Sequence, residues 1–329
     1  MQSLALHPVA PAARPTFKQH ILAQLKDTLQ VLRPCFEDES VTEIMINAPH
    51  EVFICRAGVE SRIAVPLSAA QIQAAITLVA SLVEKEVGDK SGQRILSGRL
   101  PGFRVEAVLP PVAVKGPSMC IRRHVCRVIP LDEYVAAGVI PEKYAGLLAD
   151  AVSARQNFLI VGGTGSGKTT LMNTALALIP RDERLFVIES VAELQLAPGN
   201  HVLIECDEEQ GVSARRAVRT AMRYAPKRII VGELRGPEAY DWQDAANTGH
   251  PGSAATIHAN SASRALPRLE NLLLMATMGV PYEPLRAAIG ETLQWTFYIE
   301  RQGASRRLSQ VSRLHGYDRR RGEYEIENL

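Results

Sequence analysis

The stretch Phe158-Leu159-Ile160-Val161-Gly162-Gly163-Thr164-Gly165-Ser166-Gly167-Lys168-Thr169-Thr170 decides the fold. Its four opening residues are apolar without a break. That predicts a strand covered on both faces, as in a parallel sheet. Gly162 to Thr169 then fits G-x4-G-K-T, and Lys168 to Ile179 reads as the helix this loop opens. Glycines let the backbone N–H groups of such a loop turn inward, and the helix N-terminus adds positive potential. The ligand implied is a nucleotide phosphate chain, so the candidate binding residues are Gly162, Gly163, Thr164, Gly165, Ser166, Gly167, Lys168, Thr169 and Thr170. Lys168 is expected to reach the β- and γ-phosphates and the Thr169 hydroxyl to hold Mg2+, which makes ATP and Mg2+ the cofactors.

Downstream of the loop, apolar strands alternate with helices. Leu185–Ile188, Val202–Ile204, Arg228–Val231 and Ala255–Ile257 read as strands. Ser213–Tyr224, Pro237–Asn247 and Ser263–Met278 read as helices. This is an α/β pattern with a parallel sheet. The tail segments Trp295–Ile299, Val311–Gly316 and Glu323–Ile326 look like antiparallel strands.

Ligands of such sheets lie at the C-terminal ends of the strands, so carboxylates there are catalytic and metal candidates. Glu233 follows Arg228–Val231, placed to polarise water or hold the metal, or alternatively to pair with Arg235 at the surface. Glu189 follows Leu185–Ile188, with Glu193 four residues on. Either glutamate serves Mg2+ and water or caps a turn. His250 and His258 flank the strand Ala255–Ile257. Each is a γ-phosphate sensor or an ordinary structural histidine. Phosphoryl transfer also calls for cations. Arg219 and Arg223 stand four apart before the Glu233 strand, and Arg104 and Arg122-Arg123 lie on strands far upstream.

The first part of the chain reads differently. Phe17–Leu32 is an expected helix. Short strands follow around Val41–Ile46, Val52–Cys55 and Arg62–Val65, with a turn at Ala57-Gly58. A helix begins at Ser68, where Gln71 completes a capping box, and more strands fall around Arg94–Leu96, Phe103–Leu109 and Met119–Arg123. The expected layout is a smaller α+β domain over 1–127, a Pro- and Gly-punctuated linker over 128–150, and the P-loop domain over 151–329. Residues 1–15, rich in Ala and Pro, are expected to be poorly ordered.

Of 329 residues, 37 are basic and 35 acidic, a net charge of +2 that is too balanced for a dedicated nucleic-acid binder. No direct nucleic-acid partner is expected, and Arg319-Arg320-Arg321 reads as a solvated turn. Five cysteines, odd in number and without a CxxC pair, argue against a disulfide framework and against structural zinc. They fit a cytoplasmic protein. The N-terminus lacks a secretory signal pattern, and the best spanning candidate, Ala74–Val83, is too short to cross a membrane. Any membrane association is therefore expected to be peripheral.

Taken together, the loop, Ile188-Glu189 with Glu193-Leu194, Val231-Gly232-Glu233-Leu234-Arg235-Gly236, and Thr248-Gly249-His250 through Thr256-Ile257-His258-Ala259-Asn260 resemble the Walker A, acidic, Walker B and histidine boxes of one family. It is the secretion ATPases of type II and type IV secretion, pilus assembly and conjugation. The resemblance covers nearly the whole chain and is most specific over about residues 155 to 275. It implies a RecA-like P-loop domain behind the smaller α+β domain, and a homohexamer that is cytoplasmic and docked at the inner membrane on secretion or transfer machinery. It also implies arginines of the first domain closing on the phosphates, here Arg104 and Arg122, and it matches Arg219 and Arg223 to family arginines before Walker B. The catalytic set so implied is Lys168, Glu233, His250, Glu189, Arg104, Arg122, Arg219 and Arg223, with Thr169, Glu189 and Glu233 toward the metal. Two positions depart from the pattern: Ser190 stands where Asp is usual, and Pro226-Lys227 where Pro-Asp is usual. A DNA-stimulated RecA-like translocase and a low-turnover nucleotide-gated scaffold remain the alternatives, and Ser190 is the feature that keeps the scaffold open.

Overall fold

The computed structural model describes residues 16–56, 58–82, 88, 92–123, 128–207, 211–276, 281–303 and 305–329. The expectations for residues 1–15, Ala57, Cys126 and the end of the helix at Met278 fall outside them. The chain divides into two compact units, Met1–Val125 and Cys126–Leu329.

In the first unit, α1 (Phe17–Thr28) and α2 (Arg33–Glu37) precede β1 (Val41–Ala48), β2 (Glu51–Arg56) and β3 (Val59–Ile63). Then come α3 (Ala69–Leu82), β4 (Ile95–Leu100), β5 (Phe103–Val108) and β6 (Ser118–Arg123). Among the described residues the strands form an antiparallel sheet in the order β3-β2-β1-β6-β5-β4. Alternate residues such as Val105, Ala107, Ile44, Ile46 and Ile121 join Leu25, Ile72, Ile76 and Val79 of the helices in one core. The expected capping box forms: Gln71 N–H donates to Ser68 Oγ (3.3 Å) and Ser68 N–H to Gln71 Oε1 (3.1 Å). The helix expected to run from Phe17 to Leu32 stops at Thr28 and gives way to a 3-10 turn, Gln30–Leu32. Pro34 enters the first turn of α2, where a missing N–H costs least. Arg123 fastens α2 by donating to the carbonyls of Phe36 (2.7 Å) and Val41 (3.0 Å).

The second unit opens with α4 (Leu131–Ala136) and α5 (Glu142–Ser153). These residues were expected to be a linker. Their apolar faces, through Tyr134, Ile140, Leu148 and Val152, are instead buried in the core of this unit. Then follow β7 (Phe158–Gly162), α6 (Lys168–Ala177), β8 (Leu185–Glu189), β9 (His201–Glu205), α7 (Ala214–Ala221) and β10 (Arg228–Leu234). After these come α8 (Glu238–Asn247), β11 (Ala254–His258), α9 (Ala265–Ala276), α10 (Tyr282–Thr292), β12 (Trp295–Gln302), β13 (Ser305–Asp318) and β14 (Glu323–Asn328). The sheet order is β14-β13-β12-β7-β11-β10-β8-β9. It is parallel from β12 through β9 and antiparallel at β13 and β14. Alternation along the wholly buried β7 divides its side chains between two cores. Leu159 and Val161 face α7, α8 and α9, while Phe158 and Ile160 face α5 and α6. The tail is thus only partly antiparallel: α10 returns the chain across the sheet, so β12 pairs parallel with β7.

Candidate functional site

The parallel register brings three strand ends together. His258 closes β11 beside Gly162, and Leu234 of β10 pairs with Ile257, which sets Glu233 next to them. Strain and close approach explain two glycines of the loop. Gly167 has φ +99°, disfavoured for any side chain, and a β-carbon at Gly162 would stand 2.3 Å from Ile299 O. Ser166 Oγ is buried beneath the loop with no hydrogen-bond partner among the described residues.

Lys168, only 8% exposed, opens α6. Its Nζ donates to Gly163 O (2.8 Å) and lies 3.3 Å from His258 Nε2. The same His258 nitrogen stands 2.8 Å from Glu233 Oε1, and Arg235 donates to Glu233 Oε2 at 2.6 Å. Lys168, His258, Glu233 and Arg235 are therefore one connected cluster at the mouth of the loop. Burial, then the Lys168 charge, hold the His258 imidazole below its ordinary pKa in spite of Glu233. A neutral ring protonated at Nε2 donates to Glu233. The pairing of Glu233 with Arg235, one of the two roles open from sequence, does occur, and it occurs inside the site.

Glu189, at the end of β8, is 4% exposed. It accepts from the N–H groups of Glu193 (3.1 Å) and Leu194 (3.1 Å), the turn-anchoring role that the sequence had left as its alternative. Burial drives its carboxyl up to about 7 against the pull of those two N–H groups. The side chain lies across Gly232 of β10, where a β-carbon would come within 3.0 Å of Glu189 Cγ. Asn173, buried within α6, binds the same loop from the other side. It accepts from Gln195 N–H (2.8 Å) and donates to Glu193 O (3.3 Å). Nothing in the sequence singled out Asn173, since a lone Asn inside an apolar helix carries no motif.

His250 requires a correction. It precedes β11, and its Nδ1 meets Pro226 O at 3.0 Å, at the end of the sheet where β10 and β11 begin. The five residues of β11 separate it from the loop by roughly 17 Å. Within this chain His258, not His250, lies beside the loop. The two candidate arginines before β10, Arg219 and Arg223, are also elsewhere. Arg219 donates to Asp241 of α8 (2.6 Å), and α7 and α8 pack on the sheet face opposite α6. Arg223 lies exposed beyond the end of α7, so the expected shared helix face with Arg219 does not form. In the first unit Arg104 and Arg122 are cross-strand neighbours, Arg104 held by Glu106 (2.6 Å) and Arg122 near Glu43 (3.5 Å).

The cradle suits a nucleotide. Its glycine-rich backbone and buried ammonium sit at the helix N-terminus, with the Glu233 carboxylate beyond His258. For Mg2+, hard oxygen donors are required. Thr169, next to Lys168 in α6, and Glu233 carry such oxygens, while the buried carboxylate of Glu189 accepts the N–H groups of Glu193 and Leu194. No helix among the described residues is long and apolar enough to cross a membrane.

Residues 26–294 match the family described as Type II/IV secretion system protein. The chain is 40% identical to a probable conjugal transfer protein TrbB of Sinorhizobium fredii, over 89% of this chain and 88% of that one. It is 39% identical to a conjugal transfer protein TrbB of Rhizobium radiobacter, over 94% of each. Among solved structures, the ATPase DotB of Yersinia pseudotuberculosis aligns with a TM-score of 0.59 at 19% identity, covering 100% of this chain and 84% of that one, a likeness of fold. The chain belongs to the type II/IV secretion system protein family.

Proposed function

We propose that this chain is an ATPase whose RecA-like P-loop domain, expected over 151–329, binds Mg-ATP and hydrolyses it to power type IV secretion or conjugative transfer. The observation that carries this reading is the meeting of Lys168, His258 and Glu233 at the strand ends beside the P-loop. Family membership supplies the cellular process.

In this reading Lys168 leaves Gly163 O for the β- and γ-phosphates, and the glycine-rich backbone from Gly162 to Thr170 cradles the phosphate chain. Thr169 and Glu233 would hold Mg2+, which would supply charge neutralisation. Glu233 orients the attacking water, and His258 fixes the Glu233 carboxylate and reports on the phosphate. Glu189 positions the loop of Glu193 rather than the metal. Arg104 and Arg122 close on the phosphates by exchanging Glu106 and Glu43 for the anion. The working form is a homohexamer docked at the cytoplasmic side of the inner membrane on transfer machinery.

Steady-state ATP hydrolysis on size-fractionated protein, with and without DNA, tests this. Turnover confined to a hexamer-sized fraction and indifferent to DNA is expected. Turnover that rises strongly with DNA would replace the secretion motor by a translocase, and tight ATP binding without turnover would replace it by a gated scaffold.

A further inference from the structure

The hairpin of β12 and β13 runs past the end of β7 and overhangs the loop. Tyr298 pairs with Val161, the last pair of β12 and β7, while the β12–β13 pairing continues through Ile299, Glu300, Arg301 and Gln302. On the hairpin, residues facing each other across the strands share a side, and neighbours alternate. Ile299 with Leu308 and Arg301 with Arg306 therefore lie on one face. That face is the one turned to α6, because Ile299 and Leu308 share a core with Leu171 and Met172.

Arg306 reaches the loop itself. A β-carbon at Gly167 would stand 3.0 Å from Arg306 Cδ and 3.4 Å from its Nε, with Ile299 Cδ1 at 3.6 Å. The residue is exposed, and among the described residues its guanidinium makes no hydrogen bond or ion pair. The one carboxylate of the strand opposite, Glu300, pairs in register with Arg307 on the other face. A cation with no acid partner, beside Gly167 at the positive end of α6, sits where like charge is unfavourable. An anion arriving at the loop removes that cost.

We propose that Arg306 binds the phosphate chain of the nucleotide held on the loop of its own subunit, from the side opposite Glu233. This rests on the nucleotide reading given above. Arginine suits the task because its fork presents several donors to phosphate oxygens at once.

The test is the equilibrium affinity for a fluorescent ADP analogue, measured on the full chain, the Arg306→Ala, Arg306→Lys and Arg307→Ala variants, and Lys168→Ala. Circular dichroism melts confirm that each variant is folded, and Arg306, being exposed, is not needed for the core. The expected result is an affinity about tenfold weaker in Arg306→Ala, the scale of one charge-assisted contact. Arg306→Lys should recover part of the loss, and Arg307→Ala should match the parent protein. The parent affinity should also fall more steeply with salt than that of Arg306→Ala. Unchanged affinity in Arg306→Ala alongside lost binding in Lys168→Ala overturns the role of Arg306 and leaves the loop reading intact. An equal loss in Arg307→Ala overturns it too, since the effect would then be one of overall charge. A parent protein that binds no ADP overturns both readings.

Discussion

Replacing Glu189 with Gln isolates the cost of burying one carboxylate beneath the site. The folded protein holds a proton on Glu189 up to about pH 7, whereas the ordinary value is 4.5. Protonation therefore favours the fold. The stability that Glu189 confers is greatest below about pH 4.5 and is lost as pH rises through about 7, then stays level. At about 1.4 kcal/mol for each pH unit of that interval, the loss is ~3 kcal/mol. A glutamine does not titrate, so the stability difference between Glu189→Gln and the parent should move by ~3 kcal/mol in favour of the variant between pH 5 and pH 8. Urea unfolding of both proteins at matched pH values measures this, because only the change in their difference is read. A difference that stays constant with pH refutes the burial argument. The geometry also separates an anchor from a metal ligand. Serving as an anchor whose Oε1 accepts the N–H groups of Glu193 and Leu194, Glu189 should keep this pH dependence when Mg-ADP is added. A metal bound to it would abolish the dependence.

Other expectations follow from the same contacts. Arg228, 1% exposed, grips Glu183 through two donors (2.8 and 3.0 Å) and the carbonyl of Val152. Arg228→Met should cost about 3 kcal/mol in urea unfolding, since it leaves the buried Glu183 carboxylate with Arg155 alone (3.2 Å), and adding Glu183→Leu should restore part of it. Gly167→Ala should lose about 1–2 kcal/mol from its positive φ alone, seen as a lower melting temperature, and should weaken nucleotide binding. His258→Ala should lower ATP turnover at least ~10-fold with little change in melting temperature, as expected when a positioning contact is lost. His250→Ala should do the reverse, and equal turnover losses in the two variants would contradict the placement of His258.

What could be read from the chain, and what could not, divides by range. The strand Phe158–Val161 and the glycine loop announced themselves because both depend on local rules, an unbroken apolar run and residues that tolerate positive φ. Gln71 after Ser68 was equally local. The identity of the site histidine was not, because His250 and His258 carry the same motif weight and only the direction and length of β11 decide between them. The helix α10 carries Pro281 at its cap and Pro284 in its first turn, where proline is tolerated, so its residues hold no unbroken helical pattern at the start. Missing it made β12 look antiparallel. The apolar residues of α4 and α5 lay among Pro130, Gly138 and Pro141, so punctuation masked their burial. Arg306 had no signal at all, since its nearness to Gly167 arises from sheet order β12-β7 and not from any pattern in its own segment.

The most direct measurement is to separate binding from hydrolysis in the Glu233→Gln protein. If Glu233 orients the attacking water at the mouth of the loop, this variant should bind ATP at least as tightly as the parent while its turnover falls by ~10²–10⁴, the range for a lost general base. Lys168→Ala beside it should lose binding itself. A Glu233→Gln protein that still hydrolyses ATP at the parent rate would contradict the site.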